Sequence, residues 1–105
     1  MQNNRANDRT FLPTGHPGIE RALFRNHESG GRSSVVRLVA GARFPRHRHQ
    51  APEETLVLSG HVRIDGVDLE PGDWLFSEPG SEHDVVAVTE SVIYVSSQQP
   101  TTLLE

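Results

Sequence analysis

Gly41 to Gly60 reads GARFPRHRHQAPEETLVLSG, and the architecture follows from it. His47 and His49 stand two residues apart, so on a strand both side chains face the same side. Glu53 comes after a proline-containing turn and opens the run Thr55-Leu56-Val57-Leu58, which Gly60 ends. Strand, turn and returning strand bring one carboxylate back toward two imidazoles. Glu54 competes by proximity, but it has the opposite strand parity and reads as a surface or subunit-facing charge.

Downstream, Pro71 to Val88 reads PGDWLFSEPGSEHDVVAV. The Pro79-Gly80 turn sets up a strand beginning at His83, and so a third imidazole from a distant part of the chain. His47, His49, Glu53 and His83 together form a donor set for one divalent metal ion, because imidazole suits zinc, copper, iron and nickel and a carboxylate adds compensating charge. Without an ion, an inward Glu53 would be a desolvated charge, which is costly unless paired. There are no cysteines, which excludes disulfides, thiolate catalysis and sulfur-bound zinc. All ten basic side chains are arginine, which excludes Schiff-base chemistry on lysine.

Around these stretches the chain is predicted to be all-β. Expected strands are Ile19 to Asn26, Ser34 to Val39, Thr55 to Leu58, His61 to Ile64, Val67 to Leu69, Trp74 to Ser77, His83 to Val88 and Val92 to Ser97. They are short and punctuated by Gly, Pro and Asp, with Asp65-Gly66 as a hairpin signal. No segment carries a capped apolar stripe of helical period, and many short strands suggest a sandwich or barrel. The 105 residues fit a single domain. Its barrel core is expected over about residues 19–98, with a flexible arm from Met1 to Gly15 and a tail from Gln99 to Glu105. No apolar run approaches the about 18 residues of a membrane span. The N-terminus lacks the apolar core of a signal peptide, so a cytoplasmic location is expected. The net charge of −4 argues against a nucleic-acid surface.

These residues resemble the two signature motifs of the cupin superfamily. Gly41, His47, His49, Glu53 and Gly60 match every spacing of the first. Gly72, Gly80 and His83 match the second, whose proline position is Glu78, with Pro79 next, and whose asparagine position is Ala87. The resemblance covers roughly Ile19 to Ser97. It implies a double-stranded β-helix (jelly-roll) barrel, one divalent metal ion per chain (zinc, iron, manganese or nickel) and a homodimer. More finely, GARFPRHRH with EETLVLSG resembles the cupin domain of ChrR-type zinc anti-sigma factors, and small stand-alone cupins grouped with them, some of them dioxygenases of ketone-type substrates. The expected function is a metal-dependent enzyme of dioxygenase type acting on a small organic molecule. Isomerase or lyase chemistry is the runner-up within that class. The alternative is a non-catalytic zinc-binding sensor.

Other residues take plainer readings. His16, His27 and His61 are expected to be solvated or capped. Phe44, Trp74, Phe76 and Tyr94 suit either a pocket wall or a core. Parity directs Val57, Val85 and Ala87 toward the metal. Arg43, Arg46 and Arg48 read as a solvated rim, with attraction of an anionic substrate as the alternative, and Arg37 as the partner of a buried carboxylate or part of an interface. Glu78, Glu82 and Tyr94 are the candidate general bases. Leu56 and Leu58, on the other parity, need cover from the N-terminal strand or from a second subunit.

Overall fold

The computed structural model describes residues 1–105. After a short 3-10 turn at Ala6–Asp8, the chain forms eleven strands. These are β1 (Leu12–Pro13), β2 (Ile19–Asn26), β3 (Arg32–Leu38), β4 (Arg43–Arg48), β5 (Glu53–Ser59), β6 (Val62–Ile64), β7 (Val67–Leu69), β8 (Trp74–Ser77), β9 (Glu82–Ala87), β10 (Ser91–Ser97) and β11 (Thr102–Leu103). One sheet has the order β1-β2-β3-β10-β5-β8 and the other β11-β4-β9-β6-β7. All pairings are antiparallel. Two facing antiparallel sheets with crossing connections make the expected jelly-roll barrel. No helix is long and apolar enough to cross a membrane.

Strand alternation sorts the side chains. Val36, Leu38, Val57 and Ile93 from the first sheet meet Val62, Ile64, Val85 and Ala87 from the second in one buried cluster. Asp65 and Gly66 both take positive φ, 48° and 77°, and close the β6–β7 hairpin as expected. Gly60 has φ +83°, and a Cβ there would run into the Glu90 carbonyl and Ser91. That glycine lets β5 turn tightly against the start of β10.

The two ends do more than an arm and a tail would. Leu12 and Pro13 pair with Arg21 and Glu20 of β2. Thr102 and Leu103 pair with Arg48 and His47 of β4. Glu105 then ion-pairs with Arg43 at 2.7 Å. Strands of two residues have no readable alternation, so only their partners reveal them.

Candidate metal centre

The centre starts with an irregularity in β4. Phe44 pairs with Val85 and His47 with His83, so three steps along β4 match two along β9. The extra residue is a β-bulge, and it contains Pro45, which has no N–H to give to a ladder. In a regular strand Phe44 and His47, three apart, would face opposite sides. The bulge turns both toward the interior, where their rings lie 4.9 Å apart, edge to face. His49 follows the end of β4. Its backbone N–H donates to the Ser81 carbonyl at 2.9 Å, and its carbonyl accepts from the Gly80 N–H at 2.7 Å. The Pro79-Gly80 turn therefore fixes His49 as well as launching β9 and His83. Glu53 reaches the same place from the opposite sheet, at the start of β5.

The three imidazoles are buried, and their ligating nitrogens lie within 4.8 Å of one another. Ring centroids are 4.5 to 5.0 Å apart. His47 Nδ1–H donates to the Pro45 carbonyl at 2.8 Å, and His49 Nδ1–H to the Ser81 carbonyl at 3.3 Å. Each bond selects the tautomer whose Nε2 lone pair is free, the arrangement typical around metal-binding histidines. The Glu53 carboxylate abuts His49 Nε2. Yet His49 Nε2 and Glu53 Oε2 are both sealed from solvent and have no hydrogen-bond partner of ordinary geometry. Buried polar atoms left in this way require an explanation. The three histidines form a group that can hold a metal ion, and the orphaned nitrogen and carboxylate oxygen fit one.

Electrostatics point the same way. Burial pushes the His83 imidazole down to about 4, aided by the neighbouring His49 and His47. Burial also lowers His47, with the Pro45 carbonyl offsetting part of the effect. Burial alone would lower His49 too, but the Glu53 carboxylate outweighs it and His49 is raised. Two of the three rings are thereby kept neutral, the form a metal requires.

A cavity of about 310 Å³ opens beside the cluster, lined in part by His47, Glu53, His83, Phe44 and Val85. That volume suits a small organic ligand. Glu54 is exposed and does not line it. Among the expected wall residues, Phe44 and Val85 reach the cavity, whereas Val57 and Ala87 pack deeper in the core. Trp74 and Phe76 lie exposed on the outer face with stacked rings, and Tyr94 packs toward Phe24. The candidate bases Glu78, Glu82 and Tyr94 are all outside the cavity. Arg43, Arg46 and Arg48 are half-exposed and tied to Asp84, Glu105, Asp65 and Glu82, as a rim would be. Arg37 pairs with Glu20 at 2.8 Å. His27 bonds Ser33 and His61 bonds Asp68. His16 instead packs its ring on Phe44 at 4.5 Å, behind the centre. Sequence reasoning missed Arg21, which lines the cavity from β2. Its place in an alternating strand was the available signal.

The fold and this buried histidine cluster define a small cupin barrel with a potential metal site. The chain belongs to the ChrR cupin-like domain family, whose model matches residues 3–102. No curated protein matches it. Among solved structures it is similar to an acetylacetone dioxygenase from Acinetobacter johnsonii, at TM-score 0.85 and 19% identity, covering 100% of this chain and 77% of that one. It is similar to a chain in the complex of Rhodobacter sphaeroides SigE with the anti-sigma ChrR, at TM-score 0.76 and 23% identity. That match covers 89% of this chain but only 50% of the other. The polyketide cyclase RemF from Streptomyces resistomycificus gives TM-score 0.79 and 14% identity, over 100% and 86% of the two chains. At these identities the likeness shows the fold, and function must be argued from the site.

Proposed function

We propose that the chain is a cytoplasmic, metal-dependent cupin of dioxygenase type acting on a small organic molecule, with His47, His49, Glu53 and His83 holding one divalent ion. The observation that carries this reading is a pair of buried atoms, His49 Nε2 and Glu53 Oε2, that abut each other and have no other partner, beside two further imidazoles at the wall of a ligand-sized cavity. A divalent iron, manganese or nickel ion held by such donors supplies Lewis acidity and, for iron and manganese, redox chemistry. The protein's own contributions are distinct. The Pro45 and Ser81 carbonyls orient two of the rings. Phe44 and Val85 keep water from one wall. No lysine or cysteine offers a competing nucleophile.

A second reading is supported by the ChrR family match and the anti-sigma neighbour: a zinc-holding sensor that works through a protein partner. Metal analysis of protein purified without added metal separates the two. Iron or manganese with exchangeable water supports the enzyme, and stoichiometric zinc with a closed four-ligand shell supports the sensor. Either reading expects metal-linked stability. Metal at about 100 times its Kd should stabilise the fold by about 2.7 kcal/mol. For a chain of this size that raises Tm by on the order of 10–20 °C. His49→Ala should lose most of the metal and this rise in a thermal melt. Unchanged metal content in that variant would sink the ligand assignment.

We further propose a homodimer built on the outer face of the six-stranded sheet, where Leu58, Trp74 and Phe76 are exposed.

A further inference from the structure

The cavity beside the histidine cluster holds two guanidiniums that no carboxylate pairs, since the carboxylate on its wall, Glu53, lies against His49. Arg21 on β2 pairs with Val36 of β3, and both line the cavity. Arg32, at the start of β3, lines it too, opposite Ser97 of β10. Neither guanidinium makes an ion pair or a side-chain hydrogen bond within the chain. By contrast, Arg37, Arg43, Arg46, Arg48 and Arg63 are each ion-paired on the surface. Arg21 is the more enclosed of the two, and its Nε is sealed from solvent without any partner. Burial lowers its basicity, as does the charge of Arg32, while Glu53 acts in the opposite sense. These three groups therefore feel one another, yet Glu53 lies against His49 rather than within ion-pairing distance of Arg21. Arg21 is half-buried, and a guanidinium enclosed to this degree is normally paired, because its donors fit a carboxylate in a fork.

We propose that Arg21, with Arg32 beside it, receives the carboxylate of a small oxo- or hydroxy-acid whose remaining oxygen points toward the His47–His49–His83 cluster. The ligand class is thus an anionic organic acid rather than a neutral ketone. This deepens the proposed function and rests on it for the ligand's orientation. The charge recognition itself depends only on Arg21 and Arg32. The cavity's about 310 Å³ accommodates a carboxylate and a short carbon chain together.

Acetoacetate and acetylacetone form a matched pair of probes. They have the same number of non-hydrogen atoms and differ in that a carboxylate replaces a methyl ketone. Calorimetric titration into zinc-loaded protein avoids redox turnover, and a parallel titration uses metal-free protein. Acetoacetate is expected to bind about ten- to hundredfold more tightly, the range of a charge-assisted hydrogen bond. Arg21→Met should abolish the preference with zinc content and far-ultraviolet circular dichroism unchanged. Arg21→Lys should restore part of it, as a point charge without the fork. Equal binding of the two probes, no binding of acetoacetate to either form, or a preference that survives in a folded Arg21→Met protein would each overturn the proposal. Inorganic phosphate that displaces acetoacetate at equal concentration would also overturn it, by assigning the site to a bare oxyanion. If zinc fails to load while the acetoacetate preference persists in metal-free protein, the metal reading falls and Arg21 stands. If zinc loads and the preference is absent, the reverse holds.

Discussion

At the residue scale, the cluster makes the metal-free protein sensitive to acid, and the sign can be worked out from His83. Its folded value, about 4, lies below the ordinary 6.5 because burial and two neighbouring histidines oppose its charge. Between those two values the unfolded chain binds a proton that the folded chain does not. Stability is therefore complete above pH 6.5 and is lost as pH falls toward about 4. A shift of this size corresponds to about 3 kcal/mol across that window. His47 acts in the same direction and His49 in the opposite one. Urea unfolding of metal-free protein at a series of pH values checks this. His83→Gln should flatten the profile by roughly that amount, and an unchanged slope would contradict the assignment of His83 as the main proton sink. Much of this scale was legible in the sequence. The i, i+2 spacing placed His47 and His49 together, and parity separated Glu53 from Glu54. Arg21 was harder to read: its alternation with Ile19 was the available signal, but an arginine in such a strand looks like an outward residue. Only a closed barrel shows that its parity matches Val36 and Val57 inside.

At the element scale, the turns differ in what their glycines do. Gly60 and Gly80 both sit at positive φ, 83° and 90°. At Gly80 nothing lies within 4 Å of where a Cβ would stand, whereas at Gly60 a Cβ would collide with backbone and with Ser91. Gly80→Ala should therefore cost only the left-handed backbone penalty, about 1–2 kcal/mol. Gly60→Ala adds overpacking and should cost about 2–5 kcal/mol. Chemical denaturation of the two variants tests this order, and a Gly80→Ala protein weaker than Gly60→Ala would contradict it. Strand existence read well where alternation ran for several residues, as in β2 and β10. It read poorly where the tertiary partner supplies the pairing, as in β1 and β11. The β4 bulge was also hidden. Pro45 marks a break in any ladder, but which face His47 takes after the break depends on how β9 accommodates the extra residue.

At the scale of the whole molecule, the outer face of the six-stranded sheet is half covered. One register row crosses it through Ala22, Val35, Tyr94, Leu56 and Trp74. At the β2–β3 end Ala22 and Val35 are buried. The N-terminal segment lies along that end, with Arg9 over the Phe24 ring at 5.2 Å and Phe11 under Arg37 at 4.1 Å. At the β5–β8 end nothing in the chain plays that part, and Trp74 is 57% exposed, Leu58 44% and Phe76 41%. Contiguous exposed apolar side chains of this size are the usual mark of an interaction surface. A two-fold axis would place this patch against its own copy, which is why a homodimer is the expected occupant. The symmetry also amplifies any substitution, since one change removes a side chain from each subunit. Burying one large apolar side chain stabilises by about 1.5–3 kcal/mol. Trp74→Glu should then weaken association by about 3–6 kcal/mol, or roughly two to four orders of magnitude in Kd. Light scattering coupled to size exclusion over a concentration series measures this. The unaltered chain should run as a dimer, and Trp74→Glu as a monomer that retains its metal content, because Trp74 lies outside the cavity. A monomeric unaltered chain at high concentration would remove the dimer. It would leave the stacked Trp74 and Phe76 rings as a surface for a different protein, the outcome that the sensor reading requires.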